Sequence, residues 1–250
     1  MKRTNKAFMG ILMAGYALLM IFIVFVGVNV YQGIVTEKKL DNEFAQIEYL
    51  IDTNGITDNT IDIKLNSYVS DGDYLDVEMA IKEYLRDLLF ECRRLEDVYN
   101  NSQLNMVINL YNFDEDAPYF ENSKKIIAEA RINLEDIGNN LNALFDEDKI
   151  MSYAQNYDLE YYYLDYYKNS MIDHEIIDEN KKDIDSSIDY GISMLNAYTE
   201  YFTFLSDNSA YWTMDEEYIY FDTDELVEEY NRLLDIINNM EFTTDIENYI

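Results

Sequence analysis

The sequence predicts an all-α protein in which an N-terminal transmembrane helix continues into an elongated antiparallel helical bundle. Three observations carry that reading. Gly (8) and Pro (1) are scarce, whereas an all-β fold needs a turn signal roughly every 8–12 residues. No charged side chain occurs from Ala7 to Val35. Beyond that run, apolar residues recur at alternating three- and four-residue spacings, the period of one helix face.

The uncharged run exceeds the roughly 20 helical residues that cross a hydrocarbon core. Residues 1–6, with Lys2, Arg3 and Lys6, form a basic tail, while Glu37, Lys38, Lys39, Asp41 and Glu43 nearly cancel on the far side. That asymmetry keeps the N-terminus cytoplasmic and places residues 36–250 outside, at the cell membrane. A cleavable signal peptide has an apolar region of about 7–15 residues and a small-x-small site, and neither is present. Lipidation needs a cysteine just after the run, but the first is Cys92. A prepilin carries an acid soon after its cleavage glycine, and Gly10 is followed by Ile-Leu-Met-Ala-Gly. Ala7, Gly10, Ala14 and Ala17 share one helix face, a candidate for close pairing with another membrane helix.

Charge narrows the function classes. Against 50 acidic residues stand 18 basic ones, and from position 36 onward the balance is −35. Such a surface repels phosphate backbones and anionic headgroups, which excludes nucleic acid and leaves cationic partners or loosely bound Ca²⁺ or Mg²⁺. With 48% hydrophobic residues, the chain differs from disordered sequences of similar charge.

The elements follow in order. Leu40, Phe44, Ile47 and Ile51 extend the membrane helix as a stalk over 36–55, stopped by Asp52-Thr53-Asn54-Gly55, and the acidic bundle domain occupies 56–250. Residues 56–71 read equally as strand, loop or short helix. Ile81, Leu85, Leu88, Cys92, Leu95 and Tyr99 form the strongest seam, on a helix expected to reach Phe113. A second seam, Ile127, Ala130, Leu134, Ile137, Leu141 and Leu144, closes at Asp146-Glu147-Asp148. A tyrosine-rich helix from Met151 presents Ala154, Tyr157, Tyr161, Leu164 and Met171. After His174 a further seam runs from Ile184 to Leu205 and breaks at Asp207-Asn208-Ser209. The last helix, capped by Thr223 or Asp224, presents Val227, Tyr230, Leu234 and Ile237.

Little here resembles catalytic machinery. One histidine and one cysteine cannot assemble the usual zinc sets, and no nucleophile elbow is present; no enzyme, metal site or cofactor is expected. His174 reads as a solvated residue of a helix connection and Cys92 as a buried hydrophobe. The acidic clusters fit no EF-hand loop. Tyrosine is abundant at 24 residues, and the run Tyr162, Tyr163, Tyr166 and Tyr167 wraps more than one helix face. With Trp212, these tyrosines form the candidate contact surface, since such rings bury area at low entropy cost.

In layout the chain resembles the sensory modules of bacterial chemoreceptors and sensor kinases, without their returning membrane helix or cytoplasmic output domain. The expectation is a single-pass, membrane-anchored interaction or scaffold module, an accessory subunit that meets another membrane or surface protein or a second copy of itself. The alternative is a ligand- or cation-responsive sensor subunit that signals through a partner's membrane helix.

Overall fold

The computed structural model describes residues 35–108, 113–215 and 218–239. These are mostly helical. In chain order they form α1 (Val35–Asn54), α2 (Asn59–Leu65), α3 (Asp73–Tyr99), α4 (Ser102–Ile108), α5 (Phe113–Asp116), α6 (Glu121–Leu144), α7 (Glu147–Gln155), α8 (Tyr161–Met171) and α9 (His174–Asp207). A hairpin of β1 (Trp212–Met214) and β2 (Ile219–Phe221) follows, then α10 (Asp224–Asn239). The basic tail and the expected membrane helix, all but its last residue, lie outside the described residues, as do Ala7, Gly10, Ala14 and Ala17. Among the described residues no helix is long and apolar enough to cross a membrane.

The chain divides into two compact units. Among the described residues, one contains α1 and takes in 35–96 and Ile137–Ser186; the other contains the hairpin and takes in Asp97–Asp136 and the described residues from Ser187. Helices α3, α6 and α9 each contribute residues to both.

In the α1 unit, Leu40, Phe44, Ile47 and Ile51 are buried. Each such side chain contributes about 1.5–3 kcal/mol relative to exposure, so α1 is part of the unit's core. It stops at Asn54 because Gly55 takes the left-handed conformation, with φ of 84°, and its N–H donates to the Ile51 carbonyl at 2.9 Å. The ambiguous stretch after it resolves as helix α2. Asp58 supplies the cap, accepting from the Thr60 amide at 2.7 Å. Arg93 of α3 then clamps α2, donating to the Ile56 carbonyl at 2.7 Å and to Asp62 at 2.9 Å. The predicted seams of α3, from Ile81 to Tyr99, and of α6, from Ile127 to Leu144, are buried in the parts that belong to this unit and in the parts that belong to the other. The tyrosine-rich segment departs from the expected single helix. It breaks after Gln155, and Asp158 adopts φ of 48° before α8 begins. One seam therefore cannot run through both halves, and Tyr161 is exposed.

In the hairpin unit, α3 ends at Tyr99 and does not reach Phe113. Asn101 starts a new helix by accepting from the Leu104 amide at 3.0 Å, and Asn105 donates to the Tyr99 carbonyl left open by the break, at 3.2 Å. Leu195, Tyr198, Phe202 and Leu205 of α9 are buried as predicted, and Phe113 and Phe120 join them. The hairpin was not foreseen. Its inner face, Trp212 and Phe221, covers this aromatic core. On α10 the buried residue is Leu233, and Val227 is exposed. The buried face is therefore turned slightly from the expected seam, toward Leu233, while Tyr230 keeps its expected inward place beside Phe221 and Tyr201, at ring distances of 5.2 and 5.8 Å.

Candidate interaction surface

The tyrosines of α8 divide by helical position. Successive side chains step around the axis, so a run of tyrosines must present several faces. Tyr167 points inward, fully buried, and its hydroxyl donates to the Ile150 carbonyl at 2.8 Å. That position corrects its place in the expected contact surface: a hydroxyl anchored on α7 makes it a core residue. Tyr161 and Tyr162 face outward, 85% and 55% exposed. Tyr163 and Tyr166 are half-buried between these limits.

These half-buried rings meet Tyr74, in the first turn of α3. Tyr74 and Tyr163 lie 5.0 Å apart at 87°, and Tyr74 and Tyr166 lie 5.8 Å apart at 85°. Tyr162 continues the series, 5.3 Å from Tyr163 at 88°. Edge-to-face pairs of this kind set the positive rim of one ring on the negative face of the next. Desolvation first, and then the charge and hydrogen bond of Asp73, push the Tyr163 phenol above its ordinary pKa. The result is a preformed aromatic surface with a carboxylate at its edge.

Its footing is polar and buried. The connection before Asp73 is held by Lys82 and Glu78, both fully buried on α3, and by Glu43 of α1. The Lys82 ammonium lies 2.8 Å from Glu43 and 2.8 Å from Glu78, and donates to the carbonyls of Lys64 at 3.0 Å and Ser67 at 2.6 Å. Glu78 accepts from the amides of Val69 and Ser70 at 3.0 and 2.9 Å, and from the Ser70 hydroxyl. Lys64 completes the set with 2.7 Å to Glu43. Burial pushes the Glu78 carboxyl upward, but the Lys82 and Ser70 donors outweigh it and hold the group below its ordinary pKa. A second polar row joins α3 to the α7 region: Tyr153 donates to Asp87 and Tyr157 to Glu83, each at 2.5 Å. The spacing of four on both sides gives matching rungs.

Sequence reasoning missed the buried charges, though a signal existed. Glu43 follows Leu40 by three and precedes Ile47 by four, so it sits on the apolar stripe of α1. Lys82 follows Glu78 by four.

Trp212 also leaves the expected contact surface. It belongs to the hairpin unit, is 8% exposed, and its indole N–H donates to the Leu205 carbonyl at 2.8 Å. A large ring with its one polar atom satisfied inside is a core residue.

The groups with catalytic potential are scattered. His174 is exposed, 4.0 Å from Glu147. Cys92 is buried, which together with Glu91 raises its thiol pKa to about 12, and it packs as a small hydrophobe. Among the described residues no group of three or more His, Cys, Asp or Glu side chains could hold a metal ion. Comparison with known proteins finds no matching family model, no matching curated protein and no matching solved structure.

Proposed function

We propose that this chain is a membrane-anchored interaction module, tethered through residues 7–35 with its N-terminus cytoplasmic and its acidic helical units outside. The uncharged run and its basic flank support the anchor. The observation that carries the module is the preformed aromatic face of Tyr74, Tyr162, Tyr163 and Tyr166. Tyr162 is exposed and the other three rings are half-buried; rings held in place by neighbours bind with little ordering cost, which suits a docking surface.

The test is photocrosslinking in intact cells from a benzophenone amino acid at position 162, with exposed Ile132 as the control position. A discrete adduct from position 162 alone is the expected result, in membranes that resist alkaline extraction. Equal smears from both positions, or release of the chain by alkali, would overturn the reading.

The sensor alternative draws support from one contact. The buried Glu43–Lys82 pair ties α1, next in sequence to the apolar run, to α3. A Gly10→Leu/Ala14→Leu variant that kept the same membrane partners would remove the pairing element of that alternative.

A further inference from the structure

The hairpin carries a second aromatic surface, in the other unit and of different construction. Trp212 faces Phe221, Thr213 faces Tyr220 and Met214 faces Ile219 across the two antiparallel strands. Backbone bonds lengthen the ladder at both ends: the Asp222 amide donates to the Tyr211 carbonyl and the Asp215 amide to the Tyr218 carbonyl, each at 3.0 Å. Strand side chains alternate in direction, so Tyr211 with Asp222, Thr213 with Tyr220, and Asp215 with Tyr218 share the face opposite Trp212. All six are exposed, the three tyrosines at 53–61%.

This face is held from behind. The Trp212 indole is bonded to the Leu205 carbonyl and lies 6.3 Å from the Phe120 ring, while Phe221 sits 5.9 Å from Phe204. It is also ordered from within. The Asp215 carboxylate accepts the Tyr218 amide at 3.0 Å and the Tyr220 hydroxyl at 3.0 Å, and the Tyr218 and Tyr220 rings lie 6.5 Å apart. Three rings and two carboxylates are thus presented without rearrangement.

Charge selects the occupant. From Asp183 to Asn231 the chain has 13 acidic residues and no Lys, Arg or His. A second copy, a nucleic acid or an anionic bilayer would bring like charge to this face. Cations have the opposite fate, since the faces of tyrosine rings attract guanidinium and ammonium groups and the flanking carboxylates pair with them. From Tyr211 to Asp215 the strand extends about 13 Å at 3.3 Å per residue, the reach of several residues of an extended segment and more than one small cation fills.

We propose that this face of the hairpin docks an arginine- or lysine-bearing extended segment of a protein partner. Its cations lie over Tyr211, Tyr218 and Tyr220 and pair with Asp215 and Asp222. The inference rests on the interaction-module reading and names the chemistry of one partner.

The test uses the full chain in nonionic detergent micelles and a fluorescein-labelled octa-arginine peptide, at about 0.15 M salt to shorten the reach of general attraction. A Tyr211→Ser/Tyr218→Ser/Tyr220→Ser variant keeps the net charge and is expected to weaken binding about tenfold or more. The matching Tyr→Phe variant keeps the rings and is expected to stay within about threefold of the parent, which also guards against misfolding. Asp215→Asn/Asp222→Asn is expected to weaken binding about fivefold. Binding unchanged by the serine variant would overturn the proposal, because the whole acidic surface would then be the site. Absence of octa-arginine binding, or equal loss in the phenylalanine variant, would also overturn it. A crosslink from position 162 with no peptide binding leaves the module reading intact and removes only this one. Peptide binding with no crosslink removes the Tyr162 face as the docking surface and leaves the hairpin face standing.

Discussion

Lys82 shows how much a single side chain decides. Its ammonium is buried with two carboxylates and two carbonyls around it, so Lys82→Met would take the paired cation from buried Glu78 and leave Glu43 with Lys64 alone. Removing one partner of such a set costs about 3–5 kcal/mol, and urea unfolding of the full chain in micelles is expected to show a loss of that size. Glu78 has the matching pH signature. Its folded pKa lies below the ordinary value of 4.5, so its stabilisation is complete above that value and lost as pH falls through the folded pKa. The wild-type melting temperature is not a clean readout, because acid also relieves repulsion among the other carboxylates. The difference between wild type and Glu78→Gln isolates the group: it is expected to be large at pH 7 and to shrink as pH drops below about 4.5. A difference constant across that range would refute the assignment.

At the scale of elements, boundaries follow local chemistry more closely than hydrophobic period. The seam of α3 could continue toward Phe113, yet Asn101 diverts the chain by capping α4 and Asn105 covers the Tyr99 carbonyl. Asn101→Ala is expected to cost about 1 kcal/mol, the usual value for a lost N-cap, measurable by chemical denaturation; Asn101→Ser should recover most of it. The break between α7 and α8 has a similar origin in Asp158, whose φ of 48° turns the chain. Asp and Asn tolerate that conformation better than most residues. The hairpin was legible in principle, because Trp212, Met214, Ile219 and Phe221 alternate with outward positions. Its strands are three residues each, too short for period two to stand out beside the long helical seams around them.

For the whole molecule, charge is the dominant unbalanced term. The sequence carries 50 acidic against 18 basic residues, and self-repulsion of that size opposes the compact state. Thermal melts are expected to rise when millimolar Ca²⁺ or Mg²⁺ replaces EDTA at constant ionic strength. With no clustered ligand set among the described residues, the gain should be gradual with concentration and similar for both ions. No shift, or saturation with one ion alone, would contradict a diffuse counterion effect.

Period and composition are enough for part of this protein. They specify the helical class, the buried seams of α3, α6 and α9, and the stop at Gly55. These are properties of single segments, or sums over the chain. Tertiary structure decided which tyrosines face solvent, that Trp212 and Tyr167 belong to the core, that Glu43, Lys82 and Glu78 are buried together, and that a hairpin displays three more rings. Each of those depends on what another segment brings to the same place. A tyrosine is equally at home inside or outside until a carbonyl such as that of Ile150 or a ring such as that of Tyr74 is set beside it.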